Sequence, residues 1–168
     1  MNYVLETSRL VLRQFTLDDT RFIIELLNSP GWLKFIGDRS IKSEEQARRY
    51  LQDVPLKSYE INGYGLCMVQ TKDEGIPVGM CGLIRRDSLD HPDIGFAFLP
   101  EFQGKGYAFE IAAAVLGYAK NTLELSVVLA IVIPENERSI RLLKKLGMAF
   151  SRMIDFSDTG EELMLFSS

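Results

Sequence analysis

The strand-like run Ile94-Gly-Phe-Ala-Phe-Leu99 leads to Gln103-Gly-Lys-Gly-Tyr-Ala108, which opens straight into an apolar-periodic stretch beginning at Phe109. A strand that stops at a glycine-rich turn and continues as a helix leaves few architectures open. The glycines let the backbone approach a ligand closely, and the first helical turn offers unpaired N–H groups and a partial positive charge. The segment reads as an anion cradle, and a diphosphate held there implies a nucleotide-like cofactor.

The elements around the cradle decide which sheet it belongs to. Arg9-Leu-Val-Leu-Arg13 alternates as a strand, and Thr16-Leu-Asp-Asp19 carries a capping-box pattern ahead of Phe22, Ile23, Leu26 and Leu27 at helical spacing. This helix is expected to end near Asn28, broken by Ser29-Pro-Gly31, and a second to run from Ser43-Glu-Glu-Gln46 to about Tyr59. Leu66 to Thr71 and Pro77 to Arg85, flanking Lys72-Asp-Glu-Gly75, predict an antiparallel hairpin. Asp93 to Leu99 is the next strand, followed by the glycine loop and a helix from about Tyr107 to Leu123, with Ile111, Val115, Leu116 and Ala119 on one stripe. Val127 to Ile133 has the length of a buried strand, and Asn136 to Leu146 is amphipathic, with Gly147 placed as a left-handed cap. Phe150 to Phe156 and Leu163 to Phe166, split by Ser157-Asp-Thr-Gly160, predict a closing hairpin.

Antiparallel strands followed by one parallel crossover give an α/β chain of the α+β kind, a mixed, mostly antiparallel central sheet flanked by helices. At 168 residues it is expected to form a single domain, residues 1–168. That order weighs against a dinucleotide fold, as does Phe109, which stands where the dinucleotide fingerprint needs its third small residue for helix–strand packing. A Walker loop is excluded because Gly104-Lys105 is followed by Gly106 instead of Ser or Thr.

Charge and rare residues narrow the chemistry further. A net charge of -4 and a pI near 5.1 oppose the broad basic field that nucleic-acid or anionic-membrane binding demands. No stretch approaches about 18 uninterrupted apolar residues, and no basic, apolar leader opens the chain, so a soluble, cytoplasmic protein is expected. Cys67 and Cys81 lie in neighbouring strands and read as two buried thiols, a disulfide depending on the hairpin register. The single histidine, His91, sits in the polar turn Asp87-Ser-Leu-Asp-His-Pro92 and reads as a solvated loop residue, leaving little material for a metal site or a Ser-His-Asp triad.

At the glycine loop the chain resembles the GCN5-related N-acetyltransferases, the GNAT family, whose acyl-CoA loop follows Gln/Arg-x-x-Gly-x-Gly/Ala, here Gln103-Gly-Lys-Gly106-Tyr-Ala108. A second block, Ile133-Pro-Glu-Asn136-Glu-Arg-Ser139 followed by Leu146-Gly-Met148, is similar to the family's Asn-x-x-Ser/Ala and Leu-Gly-Phe. The opening Thr7-Ser-Arg-Leu-Val-Leu-Arg13 resembles the branch that includes the ribosomal-protein N-terminal alanine and serine acetyltransferases.

The resemblance implies the acyl-CoA N-acyltransferase fold and acetyl-CoA as the donor, with no metal. Transfer by this route needs a deprotonated amine, an N–H donor for the oxyanion, and in some cases a proton for the departing thiolate. Positioning supplies much of the rate. By resemblance, the amides of Gly104, Lys105, Gly106, Tyr107 and Ala108 hold the diphosphate, with Gln103 at the entrance and Lys105 adding charge. The edge at Phe96, Ala97 and Phe98 pairs with the pantetheine arm, and Asn136, which is also placed to cap the following helix, hydrogen-bonds it.

Leu143 stands seven residues after Asn136, where many members of the family place a proton-donating tyrosine. In the branch named above a serine at the Ser139 position can take that part. For the base, Asp93 leads because it begins the strand entering the cleft, ahead of Glu110, Asp155 and Asp158, with a water chain as the other option. The acceptor is a primary amine, either a protein N-terminus or a small molecule, and Trp32, Phe35, Tyr59 and Tyr64 are placed to line its site. The alternative is a non-catalytic CoA-binding or regulatory module. The oligomeric state is open, with a homodimer as one option.

Overall fold

The computed structural model describes residues 2–156 and 160–168. Its frame is an eight-stranded sheet in the order β1-β2-β3-β4-β5-β6-β8-β7. The strands are β1 Tyr3–Glu6, β2 Leu10–Arg13, β3 Leu66–Thr71, β4 Pro77–Ile84, β5 Asp93–Phe98, β6 Leu129–Val132, β7 Ala149–Phe156 and β8 Glu161–Ser167. Every pairing is antiparallel except that of β5 with β6. The mixed sheet expected from the element order is therefore observed. The strand β1 was not anticipated, because a four-residue run at the chain start carries too short a period to read; it forms as the antiparallel edge partner of β2.

Period-two alternation in the central strands feeds two cores. Cys67 and Val69 of β3 face one cluster with Ile111, Ala112, Val115 and Ala119 of the helix α5, Tyr107–Asn121. Met68 and Met80 face the other, with Ile23, Leu26 and Leu27 of α1, Thr20–Leu27, and Ala47 and Leu51 of α3, Glu44–Leu51. The β3–β4 register sets Cys67 directly opposite Cys81. Both are free thiols, and burial pushes that of Cys67 up to about 12 and raises that of Cys81 as well.

The fold follows its local sequence signals unevenly. At Ser43 the capping box forms as expected: the Gln46 N–H donates to Ser43 Oγ at 3.2 Å and the Ser43 N–H to Gln46 Oε1 at 3.1 Å. At Thr16 it does not. The helix starts at Thr20, and the Asp19 carboxylate turns to Arg13 while accepting the Thr16 N–H at 2.8 Å. Ser29-Pro-Gly31 ends α1, but Pro30 then opens the short helix α2, Pro30–Phe35, since proline tolerates the first helical position. The helix expected to stop at Tyr59 continues through a π-helical turn, Gln52–Leu56, that accommodates Pro55, and ends as α4, Lys57–Asn62.

The block Leu146-Gly-Met148 has a clear mechanical meaning. It closes α6, Glu137–Lys145, with the Gly147 N–H bonded to the Lys144 carbonyl at 3.0 Å and the Met148 N–H to the Leu143 carbonyl at 3.1 Å. With Gly147 at φ 85° this is a Schellman cap, and Leu143 and Met148 meet in the core beneath it. Among the described residues no helix is long and apolar enough to cross a membrane.

Candidate functional site

β5 pairs with β4 from Asp93 to Phe98, but among the described residues its parallel pairing to β6 goes no further than Asp93 with Leu129. The two strands then part. A strand edge left without a ladder partner offers backbone donors and acceptors to an extended ligand. Phe96, Ala97 and Phe98 stand along this edge and line a cavity of about 340 Å³.

The glycine loop lines the same cavity. Gly104 and Gly106 hold φ of 76° and 81°, a left-handed conformation that side chains other than glycine rarely adopt. Gly106 is the N-cap of α5 and contributes no capping side chain, so the helix presents first-turn N–H groups to whatever lies in front of it. Gly104, Gly106, Tyr107 and Ala108 all line the cavity. The start of α6 also lines it: Asn136 caps that helix by accepting the Ser139 N–H at 3.3 Å, and both residues border the cleft.

Gln103 ties the walls together. Its amide donates to the Phe98 carbonyl at 3.0 Å and accepts from Arg138 Nη1 at 2.9 Å. Arg138, Leu142 and Lys145 also line the cleft and escaped the sequence reading, although their spacing of four and three residues places them on one helical face. Lys145 lies 4.3 Å from the centroid of the Phe109 ring. Arg138 and Lys145 thus bring positive charge to the cleft, and none of the described residues lining it is acidic.

The predicted cofactor residues gather here with one exception. Lys105 is exposed, its ammonium 5.3 Å from the centroid of the Phe102 ring, outside the cavity lining. The aromatics divide. Trp32 and Phe35 line the cleft, whereas Tyr59 and Tyr64 border a separate hollow of about 50 Å³. Tyr59 is fixed there by accepting the Phe15 N–H at 3.1 Å and donating to the Leu66 carbonyl.

The proposed acids and bases are mostly elsewhere. Leu143 is a core residue, 1% exposed. Asp93 begins β5 but does not line the cavity; it is 1% exposed and accepts from Arg86 Nε at 2.8 Å. Glu110 accepts hydrogen bonds from Thr7, Ser8 and Arg9. Burial opposes its charge, but those bonds and the Arg9 guanidinium outweigh it and bring the carboxyl down to about 2, which leaves a poor proton acceptor. Asp155 is exposed on β7, away from the cleft, and Asp158 lies outside the described residues. Among the candidates that are described, Ser139 is the one that lines the cleft. Among the described residues no group of three or more His, Cys, Asp or Glu is arranged to hold a metal ion.

The position of Asp93 makes a prediction. Burial raises its pKa against the pull of Arg86. A raised folded value means that its contribution to stability is full below the unfolded carboxylate pKa and is lost as pH rises through the folded one. Asp93→Asn, which keeps an acceptor for Arg86, is expected to match or exceed the wild-type melting temperature near pH 7 and to fall behind it near about pH 4. Parallel melts across that range check this, and an Asn variant far less stable at neutral pH would contradict it.

A splayed sheet whose cleft ends on an uncapped, glycine-led helix fits the acetyltransferase fold that the glycine loop's resemblance implied. Residues 9–149 match the acetyltransferase (GNAT) domain, and the chain belongs to that family. It is 32% identical over 146 residues, covering 86% of this chain and 81% of the relative, to the uncharacterised N-acetyltransferase YoaA of Bacillus subtilis (strain 168). In fold it is similar to RimL, a ribosomal L7/L12 alpha-N-protein acetyltransferase in complex with coenzyme A, with a TM-score of 0.84 at 13% identity over 99% of this chain and 97% of that one. It also resembles the ribosomal-protein-S5-alanine acetyltransferase from Vibrio fischeri, with a TM-score of 0.79 at 18% identity over 98% of this chain and 94% of that one. At such identities the likeness to both structures is one of fold.

Proposed function

We propose that the chain moves an acetyl group from acetyl-CoA to a primary amine by direct attack within a ternary complex. The observation that carries this reading is the convergence, on one cleft, of the unpaired β5 edge, the left-handed glycine loop at the start of α5, and Asn136 with Ser139 at the start of α6. The loop amides suit a diphosphate, Arg138 and Lys145 add positive charge at the mouth, and the edge at Phe96 to Phe98 suits the amide-bearing arm. The donor brings the activated thioester; the chain's part is to bind, orient and exclude water.

In this reading Ser139, which lines the cleft at the start of α6, gives a proton to the departing thiolate; Leu143, in the core, has none to give. Because none of the described residues lining the cleft is a carboxylate, water is the base in this reading and takes the proton from the amine. The same lining bears on the acceptor. With Trp32, Phe35 and Phe96 on its walls, the cleft suits a protein N-terminus or a small amine carrying apolar groups better than a polycation, which acidic walls would favour.

Thermal denaturation with acetyl-CoA, CoA and NAD, followed by a panel of peptides and amines monitored for free CoA thiol, tests the reading. Acetyl-CoA and CoA are expected to raise the melting temperature and NAD to leave it unchanged, with thiol released only when an amine is present. Stabilisation by NAD alone would overturn it. The cleft's poverty in acids and bases supports a second reading, a CoA-binding module without turnover, and tight binding with no reactive acceptor across the panel would select that one.

A further inference from the structure

The opening Thr7-Ser-Arg9 lies outside the cleft, yet it makes a dense set of contacts with the back of the cradle. Glu110 Oε1 accepts from Thr7 Oγ1 at 2.6 Å, from Ser8 Oγ at 3.2 Å and from the Arg9 N–H at 2.9 Å, while Oε2 takes Arg9 Nε at 2.7 Å. This seats the Arg9 guanidinium 4.7 Å from the centroid of the Tyr107 ring. From there Nη1 donates to the Lys105 carbonyl at 2.9 Å.

That bond has a directional consequence. The peptide joining Lys105 to Gly106 is planar, with its C=O and N–H on opposite sides. Arg9 does not line the cavity and Gly106 does, so a carbonyl drawn toward Arg9 sends the Gly106 N–H the other way. Glycine at φ 81° lets this peptide rotate with little steric resistance, and the opposite orientation would aim a carbonyl oxygen at an anion. An added Cβ on Gly106 would lie 3.3 Å from Arg9 Nη2, which shows how closely the guanidinium backs the loop.

We propose that Arg9 is a positioning residue for donor binding: held by Glu110, which Thr7 in turn anchors, it locks the Lys105–Gly106 peptide with its N–H toward the cleft and so pre-organises the loop for the diphosphate. This rests on the reading that the cleft binds acetyl-CoA. It also gives the Thr7-Ser-Arg9 opening a physical task that its sequence pattern alone does not reveal.

The test compares two ligands on wild type and Arg9→Ala by titration calorimetry: CoA, which carries the diphosphate, and pantetheine, which lacks it. Arg9→Ala is expected to weaken CoA about tenfold, the loss of one charge-assisted contact, while pantetheine changes by no more than about twofold. Equal weakening of both ligands would make Arg9 a merely structural residue and overturn the proposal, as would unchanged CoA binding. If Arg9→Ala does not fold, Arg9→Lys takes its place, since it keeps the charge but not the fork, and the same CoA-only loss is expected. Absence of CoA binding to the wild type would overturn the cofactor reading itself, an outcome distinct from either of the others.

Discussion

Gly106→Val is expected to weaken CoA binding by at least about 100-fold while leaving a folded sheet, measured by calorimetric titration alongside circular dichroism. Two effects combine. A β-branched residue at φ 81° is strained and would escape by rotating the loop, because the left-handed region costs such side chains on the order of 1–3 kcal/mol. The new Cβ would also press on Arg9 Nη2 at 3.3 Å, disturbing the contact that orients the peptide. Loss of two amide contacts to a doubly charged group, each worth about 1.5–3 kcal/mol, is enough for the stated factor. Gly104→Ala provides the comparison. An added Cβ at Gly104 meets no atom within 4 Å, so that variant carries the φ strain without the collision and is expected to lose less. A Gly106→Val protein that binds CoA as tightly as the wild type would remove the cradle from the account.

What could be read from the sequence follows from the range of the interactions involved. The loop at Gln103 to Ala108 and the Schellman cap at Gly147 are set by a few consecutive residues, and both are where the pattern placed them. The strands with long alternating or apolar runs were equally legible, whereas β1, four residues deep at an edge, was not. Site residues drawn from distant elements were the hard part. Trp32 was expected to line the site and does, but the short helix that carries it was not, because it begins with Pro30, a residue more readily taken for a break. Asp93 was expected at the cleft because its strand enters there, but a strand's two ends are far apart, and the cavity begins at Phe96. Its partner Arg86 sits across the turn before β5, a pairing that no local spacing announces.

Asp19 is the sharpest case of a local pattern overruled by tertiary structure, and it carries the largest expected effect on stability. In sequence it completes a capping motif with Thr16; in the fold it makes a two-pronged contact with Arg13, each prong 2.9 Å. The two side chains are 8% and 12% exposed, and Arg13 also donates to Gln70 Oε1 at 3.0 Å and to the Gln14 carbonyl at 3.1 Å. The pair fixes the turn from β2 into α1, which leads on to the helix holding Trp32 against the cleft. Asp19→Ala strips the carboxylate from a guanidinium that is almost fully enclosed, and removal of one partner from a buried pair costs about 3–5 kcal/mol. Urea denaturation is expected to show a lower midpoint with an unchanged slope. Replacing both partners by apolar residues, Arg13→Met with Asp19→Leu, is expected to recover most of that loss, since no charge is then stranded. The pH dependence has the opposite sign to that of Asp93. Burial works against the Asp19 charge, but hydrogen bonds from Arg13 and the Thr16 N–H prevail and hold its pKa below the ordinary carboxylate value. Its contribution is therefore complete above the unfolded pKa and is lost as pH falls through the folded one, a slope that Asp19→Ala must flatten. An Asp19→Ala loss under about 1 kcal/mol would mean that the pair behaves like an exposed surface bridge, and the enclosure described here would not be what holds the turn.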